Sequence, residues 1–505
     1  MYKLFRSMYR VLDRRVLSRL PISTQTALKE MLLRIARTLY PSRILATSAT
    51  QLVLPQGNSD SSWSWRPPEL PGWVKNEMVI LASIDPNLHP QSELMRDAKF
   101  YSAPWTFDAP GLAYAQLWNT LDGQRFDCVI IVPWLKTGGA DLGALHVANA
   151  LADVFGARVL MIATDDTSSP WSSRLSRNVT FVEAGAVLRN LAQEHRIDVI
   201  VRLLLQLAPS VMHLMNSLLG WEAIARNGLA LRQFMRIYVS LYCDDMSEQG
   251  LPVGYARSYL PRCYQYLSMV ITDNTRSGEV WARTLGVPAS LFYVLPFPGP
   301  AFKRLSQRES GKALLWAGRL DRQKRPDLLD EIAKAMPDFR FDCYGAPVID
   351  ASDLSHWGLV RNLVRYGTYE RFSDLVKPDH LAFVYTTAWD GMPNVLLEAA
   401  AVGLPIIAPN IGGISDFLAI EDLLPASAGS TEYVAAIQML FRSPENRESR
   451  IDRQRAALIT SRTPADFIAS LGRLDAYRDI RARAAVSPAE IGSMSQAVSQ
   501  LRCTS

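Results

Sequence analysis

The chain has 505 residues, 48% of them hydrophobic and 20% charged, an ordinary globular composition too long for one small core. Its five cysteines (Cys128, Cys243, Cys263, Cys343 and Cys503) stand far apart, which argues against a disulfide framework or a zinc-type spacing and fits a reducing cytoplasm. The net charge of +5 is concentrated in residues 1–45, where ten Lys or Arg face only Asp13 and Glu30, so nucleic-acid binding by the folded domains is a poor fit. No stretch reaches the roughly eighteen apolar residues of a spanning helix, and the amino terminus lacks the apolar core of a secretory signal.

Taken in order, the chain opens on a basic arm, residues 1–45. Leu4, Phe5, Met8, Tyr9, Val11, Leu12 and Val16 share one broad helical face, with Lys3, Arg6, Arg10 and Arg14 opposite. Two readings stand: residues 1–20 bind an anionic membrane surface, or the helix packs on the protein with a solvated basic back. Pro21 ends this helix, and a second helical pattern runs from Thr24 to Tyr40. Residues 46–125 form a linker and accessory segment: a Ser-, Pro- and Trp-rich loop, in which Trp63, Trp65 and Trp73 anchor to a neighbouring surface, then mixed sequence with a helix at Gly111–Thr120. We assign this region no role.

At Phe126 the pattern becomes α/β. Apolar strands are predicted at Cys128–Val132, Arg158–Ala163, Val199–Leu203, Ile237–Tyr242, Val270–Thr272 and Phe292–Leu295, mostly with helical stretches between them, which implies a parallel, doubly wound sheet over residues 126–296. Ligands of such sheets sit at the carboxyl ends of strands, where the Gly138-Gly139-Ala140-Asp141 turn lies. His146, in the following helix, reads as a satisfied helix-face histidine. A Pro-, Gly- and charge-rich linker, 297–312, leads to a second α/β unit, 313–475. It begins with strand ALLWAG and continues with strands at Arg340–Tyr344, around Tyr366–Tyr369 and at Leu381–Tyr385. Thr431–Phe441 and Pro464–Arg483 read as helices, and residues 476–505 as a terminal helix and tail.

The most informative stretch is Tyr385–Phe417, YTTAWDGMPNVLLEAAAVGLPIIAPNIGGISDF. Asp390 stands at the head of a helix, Pro393 suits its first position, Val395–Val402 is apolar and Ala-rich, and Gly403 stops it. Ile406–Ala408 then reads as a buried strand leading to the Gly412-Gly413 turn. A helix start of this kind presents free N–H groups and suits a phosphate. Glu398 follows Asp390 by eight residues, about 12 Å of ideal helix, so if both face the cleft the two carboxylates reach different parts of one extended ligand.

This run, D-G-x-P-x-x-x-L-E-A-x-A-x-G-x-P, resembles the family 4 retaining glycosyltransferases with the GT-B fold, two Rossmann-like domains facing across a cleft. The loop Arg319-Leu320-Asp321-Arg322-Gln323-Lys324 resembles the family's G-R-L-x-x-x-K element, and Gly138-Gly139-Ala140-Asp141 its G-G-A-E/D loop. The resemblance implies that Arg319 and Lys324 grip the donor diphosphate, Glu398 the ribose, and Asp390 with the Gly391 and Met392 backbone the sugar. Gly138 and Gly139 would approach the phosphates from the other domain. The segment near Gly367 resembles the nucleobase turn. Asp390 stands where Glu is commoner.

In relatives a His-Asp pair follows the strand equivalent to IYVSLYC; here Cys243-Asp244-Asp245 stands instead, leaving Asp245 as an acceptor-side catalytic candidate or a strand-end cap. The expected activity is retaining, metal-independent transfer from a nucleotide sugar to a glycan or lipid-linked acceptor in cell-surface polysaccharide synthesis. The expected location is cytoplasmic, or peripheral on the inner face of the membrane. No metal site, cofactor or dedicated base is nominated. A sugar-nucleotide epimerase or phosphorylase, or a catalytically silent membrane-associated scaffold, are the alternatives. A nicotinamide enzyme is disfavoured because no G-x-G-x-x-G loop follows a first strand.

Overall fold

A computed structural model describes residues 72–84, 86–89, 109–305, 311–347 and 360–485. The amphipathic arm, Trp63, Trp65 and the terminal tail lie outside these residues. The chain divides into two compact units, Met1–His89 and Pro90–Ser505. In the first, the described residues form helix α1 (Gly72–Leu81) and a 3-10 turn at Pro86–Leu88. Among the described residues no helix is long and apolar enough to cross a membrane.

The second unit holds two parallel sheets. The first is built from β1 (Cys128–Val132), β2 (Val159–Ala163), β3 (Val179–Glu183), β4 (Val211–Met215), β5 (Arg236–Ser240), β8 (Met269–Thr272) and β9 (Phe292–Val294), in the order β3-β2-β1-β4-β5-β8-β9. A two-stranded hairpin, β6 (Asp245–Met246) with β7 (Pro252–Val253), interrupts it. The second sheet comprises β10 (Ala313–Ala317), β11 (Arg340–Tyr344), β12 (Leu363–Gly367), β13 (His380–Val384), β14 (Ile406–Pro409) and β15 (Leu423–Leu424), in the order β12-β11-β10-β13-β14-β15. Strands β1, β2, β4, β10 and β13 are buried at every position. Helices cover both faces of such a sheet, so each strand is a continuous apolar run without in–out alternation. In each sheet the winding reverses once, between β1 and β4 and between β10 and β13, and those reversals open the crevices in which this class of sheet binds ligands.

Three sequence expectations need correction. Val199–Leu203 lies inside helix α2 (Gln193–Leu207), not in a strand. Ile197, Val199, Ile200, Val201, Leu203 and Leu204 are all buried there, and a short apolar run buried all round cannot be told from a strand by period alone. The strand is β4, which follows Ala208, the left-handed residue that ends α2. Pro393 is the cap of helix α3 (Asn394–Ala401) and does not occupy its first turn. Pro464–Arg483 is two helices, α5 (Pro464–Leu471) and α6 (Asp475–Ala485), and a further helix, α4 (Pro444–Ser461), precedes them.

The helix at Ala109–Thr120 supplies Ala113 and Leu117 to the core of the first sheet, which therefore draws on residues upstream of Phe126. Helices α5 and α6 also return to that sheet. Tyr477 bonds His213 Nδ1 at 2.6 Å, the other ring nitrogen of His213 bonds Ser240 Oγ at 2.8 Å, and Arg236 pairs with Asp479 at 2.8 Å. The linker runs beside this return crossing, since the Gly299 amide donates to the Arg462 carbonyl at 2.9 Å.

Candidate active site

The loops that follow β10 and β13 meet at the reversal of the second sheet, and hydrogen bonds join them. Ala388 N–H donates to the Gln323 carbonyl at 2.8 Å, Thr386 Oγ1 to the Lys324 carbonyl at 2.6 Å, and Gln323 Nε2 to the Trp389 carbonyl at 2.8 Å. Beneath them, Trp316 in β10 is fully buried, with its indole N–H satisfied by Thr386 Oγ1 at 2.9 Å.

At this junction Lys324 donates to Asp390 and, at 2.5 Å, to the Tyr385 hydroxyl, which itself donates to Asp390 at 2.5 Å. The lysine and aspartate side chains are 11% and 12% exposed, so their pairing is shielded from bulk water and screened little by salt. Arg319 lies alongside, held by Asp321 and Gln323 but 42% exposed.

Gly391 and Met392 follow directly. A Cβ on Gly391 would stand 2.9 Å from both carboxylate oxygens of Asp273, a residue of the first domain. One on Gly412, whose φ is +57°, would stand 2.0 Å from the Asp390 carbonyl. Only glycine therefore lets the Gly412–Gly413 turn lie against this loop.

Glu398, on α3, differs from the other acids of the region. Its carboxyl makes no hydrogen bond to a described residue, and burial pushes that carboxyl up to about 7 against the opposing charge of Arg174 from the first domain. Tyr369 also lies close, its hydroxyl raised first by burial and then by Glu398.

The first domain supplies the opposite wall from the reversal of its own sheet. Gly138 caps the helix Gly139–Asn149, and the Gly139 carbonyl accepts from Asn394 Nδ2 at 3.5 Å, so the glycine loop and the start of α3 face each other. Asp141 folds back to accept from the Lys136 amide at 3.0 Å. Arg174 stacks on Trp171 at 4.1 Å. His146 is packed near Phe297 and Phe467, and burial first, then Arg174, lowers it to about 4.

Asp245 is not brought into this group. It is exposed on the β6–β7 hairpin, where it caps the Met246 amide at 2.8 Å. Its neighbour Asp244 is taken up by Arg257, at 2.7 Å, and by the indole of Trp281, at 2.8 Å. Three participants carry no signal in the sequence pattern. Tyr385 reads there only as a strand end, Arg174 stands in a loop with no motif, and Asp273 follows β8 as one acid among many. Asp273 is 5% exposed, accepts from Met392 N–H at 3.1 Å and from Asn274 Nδ2 at 2.6 Å, and is pushed by burial up to about 7.

Residues 311–443 match the family model described as Glycosyl transferases group 1. No curated protein matches the sequence significantly. Among solved structures, HepE of Anabaena with UDP and glucose aligns with a TM-score of 0.54 at 15% identity, over 70% of this chain and 98% of that one. Sucrose-phosphate synthase of Thermosynechococcus elongatus aligns at 0.55 and 17%, over 70% and 99%. The lipopolysaccharide outer core galactosyltransferase WaaB in its apo form aligns at 0.51 and 15%, over 68% and 98%. The chain thus has the GT-B fold, and its second α/β domain is a glycosyltransferase domain of the Glycosyl transferases group 1 family.

Proposed function

We propose that the chain is a retaining glycosyltransferase, of the family 4 type, that moves a sugar from a nucleoside-diphosphate sugar to a glycan or lipid-linked acceptor. One observation carries this reading: a shielded Lys324–Tyr385–Asp390 group, the start of α3 and Glu398, whose carboxyl bonds no described residue, follow one another at the carboxyl end of the second sheet. A nucleotide sugar has the matching parts in the matching order. The ribose hydroxyls would donate to Glu398, the diphosphate would lie at the amides of α3 with Arg319 and Lys324, and the sugar would meet Asp390 and the Gly391–Met392 backbone.

Breaking the sugar–phosphate bond leaves negative charge on the diphosphate. Two fixed cations and a helix start stabilise that charge as it develops, which in this reading is the work a divalent metal would otherwise do. Gly138 and Gly139 allow the first domain's backbone to approach the phosphates. The acceptor proton is assigned to a departing phosphate oxygen. HepE was solved with UDP-glucose, which makes a uridine nucleotide the first to try. The lipopolysaccharide enzyme among the similar structures suits a cell-surface glycan as acceptor.

Calorimetric titration with UDP, GDP, dTDP and ADP, in EDTA and again in magnesium, tests the reading. Selective binding of one nucleotide, independent of metal and lost in Glu398→Ala, is the expected outcome. If none of the four binds, the donor-site reading fails and the silent scaffold takes its place.

A further inference from the structure

Part of the seam between the two α/β domains is made by one turn of the first, residues 273–275, set against two turns of the second. Thr275 donates its amide to Asp416 at 2.7 Å and its hydroxyl at 2.8 Å. Asn274 lies against Gly413, where an added Cβ would stand 2.3 Å from the asparagine Cβ, and the Gly413 amide in turn donates to the Gly391 carbonyl at 3.0 Å. Asp273 closes the set by accepting from Met392 N–H. Its carboxylate is almost fully buried, beside the Asp390 and Arg462 charges, in a place where an acid is costly unless both oxygens are used. One oxygen goes to Asn274 of its own domain and the other to the loop of the opposite domain.

We propose that Asp273 is a positioning residue: from the first domain it takes the Met392 amide and so fixes the Asp390–Gly391–Met392 turn only when the two domains are closed on each other. The proposal rests on the reading of that turn as the wall for the donor sugar. In the closed arrangement Met392 is held on one side by Asp273 and on the other by the apolar core in which its side chain is buried. The turn is then rigid two residues beyond the aspartate that pairs with Lys324. With the domains apart, the amide loses its acceptor and the turn is free to move. The absence of a side chain on Gly391 is what allows the approach, because any Cβ there meets both Asp273 oxygens and the Tyr242 carbonyl.

Hydrogen–deuterium exchange of the full chain tests this without any substrate. In Asp273→Ala, the peptide spanning Trp389–Asn394 is expected to exchange on the order of tenfold faster, while peptides of α3 and β13 keep the parent rate. Asp273→Asn keeps an oxygen for the Met392 amide and is expected to return most of that protection. Gly391→Ala should speed exchange of the same peptide. Unchanged exchange at 389–394 in Asp273→Ala overturns the proposal. So does a general rise across α3 and β13, which would make the residue merely structural. A parent that binds no nucleotide overturns the donor-site reading instead, so the two failures are told apart.

Discussion

The two α/β domains line their shared cleft in different ways. The second does it with a local network: every member of the Lys324, Tyr385 and Asp390 group lies on one of two adjacent loops, and the bonds among them need nothing from elsewhere. The first contributes separate groups from separate places, namely a glycine turn after β1, Arg174 after β2, and Asp273 after β8. The second domain therefore has a preformed charge arrangement of the kind that a fixed chemical fragment such as a diphosphate requires. The first offers single contacts on independent loops, which under the proposed function is a wall that can vary with the acceptor while leaving the nucleotide site intact.

The sharpest way to break this contrast is Lys324→Ala. It leaves Asp390 shielded from water with Tyr385 and Thr387 as its remaining side-chain donors, and it removes the cation assigned to the diphosphate. Truncating one partner of a buried ion pair costs about 3–5 kcal/mol. Nucleotide affinity is expected to fall by on the order of a hundredfold in calorimetry, with transfer lost. Affinity within about threefold of the parent would show that Lys324 only satisfies Asp390, and that the network is structural.

The same contrast explains what is legible in the sequence. Arg319, Lys324, Asp390, Gly391 and Glu398 occur within two short runs, and strand–turn–helix punctuation alone places both runs at strand ends. Sheet order then puts the two runs side by side, because β10 and β13 are neighbours at the reversal. In the first domain the signal fails for two physical reasons. Strands buried on both faces share their composition with buried helices, which is why part of α2 reads as a strand and why the pattern does not single out β4. The cleft residues also come from three loops whose meeting depends on the seven-strand order and on domain closure. Asp245 shows the limit: two acids at a strand end invite a catalytic reading, yet Asp244 is consumed by Arg257 and Trp281, and Asp245 by its own turn.

A smaller effect sharpens the assignment of Glu398. Its folded-state carboxyl sits at about 7, above the ordinary value of a free glutamate, so its contribution to the stability of the unliganded fold is present at low pH and is lost as pH rises through about 7. Accepting two ribose hydroxyls requires the ionised form, so nucleotide affinity has the opposite trend. It should rise by roughly tenfold between pH 6 and pH 8. In Glu398→Gln the affinity at pH 8 should be about tenfold below the parent, and the part of the pH dependence not due to the nucleotide's own phosphate should vanish. An unchanged profile in Glu398→Gln would remove the ribose role and leave Glu398 as a buried acid outside the donor site.

The smallest expected effect decides how much of the donor site belongs to the first domain. Arg174 is the cation that opposes the burial of Glu398 from across the cleft, and it is exposed, so its pull on the carboxylate is weak. Arg174→Ala should move the midpoint of the affinity–pH profile upward by about a few tenths of a unit and leave affinity at pH 8 within about twofold of the parent. If Arg174 only tunes Glu398, the two variants are not additive: in a Glu398→Gln background, replacing Arg174 changes nothing. A tenfold loss at pH 8 that persists in that background would instead place the guanidinium on the phosphates. The preformed network of the second domain would then be only part of the charge that meets the diphosphate, and closure of the cleft would be needed to bind the nucleotide as well as to position the sugar.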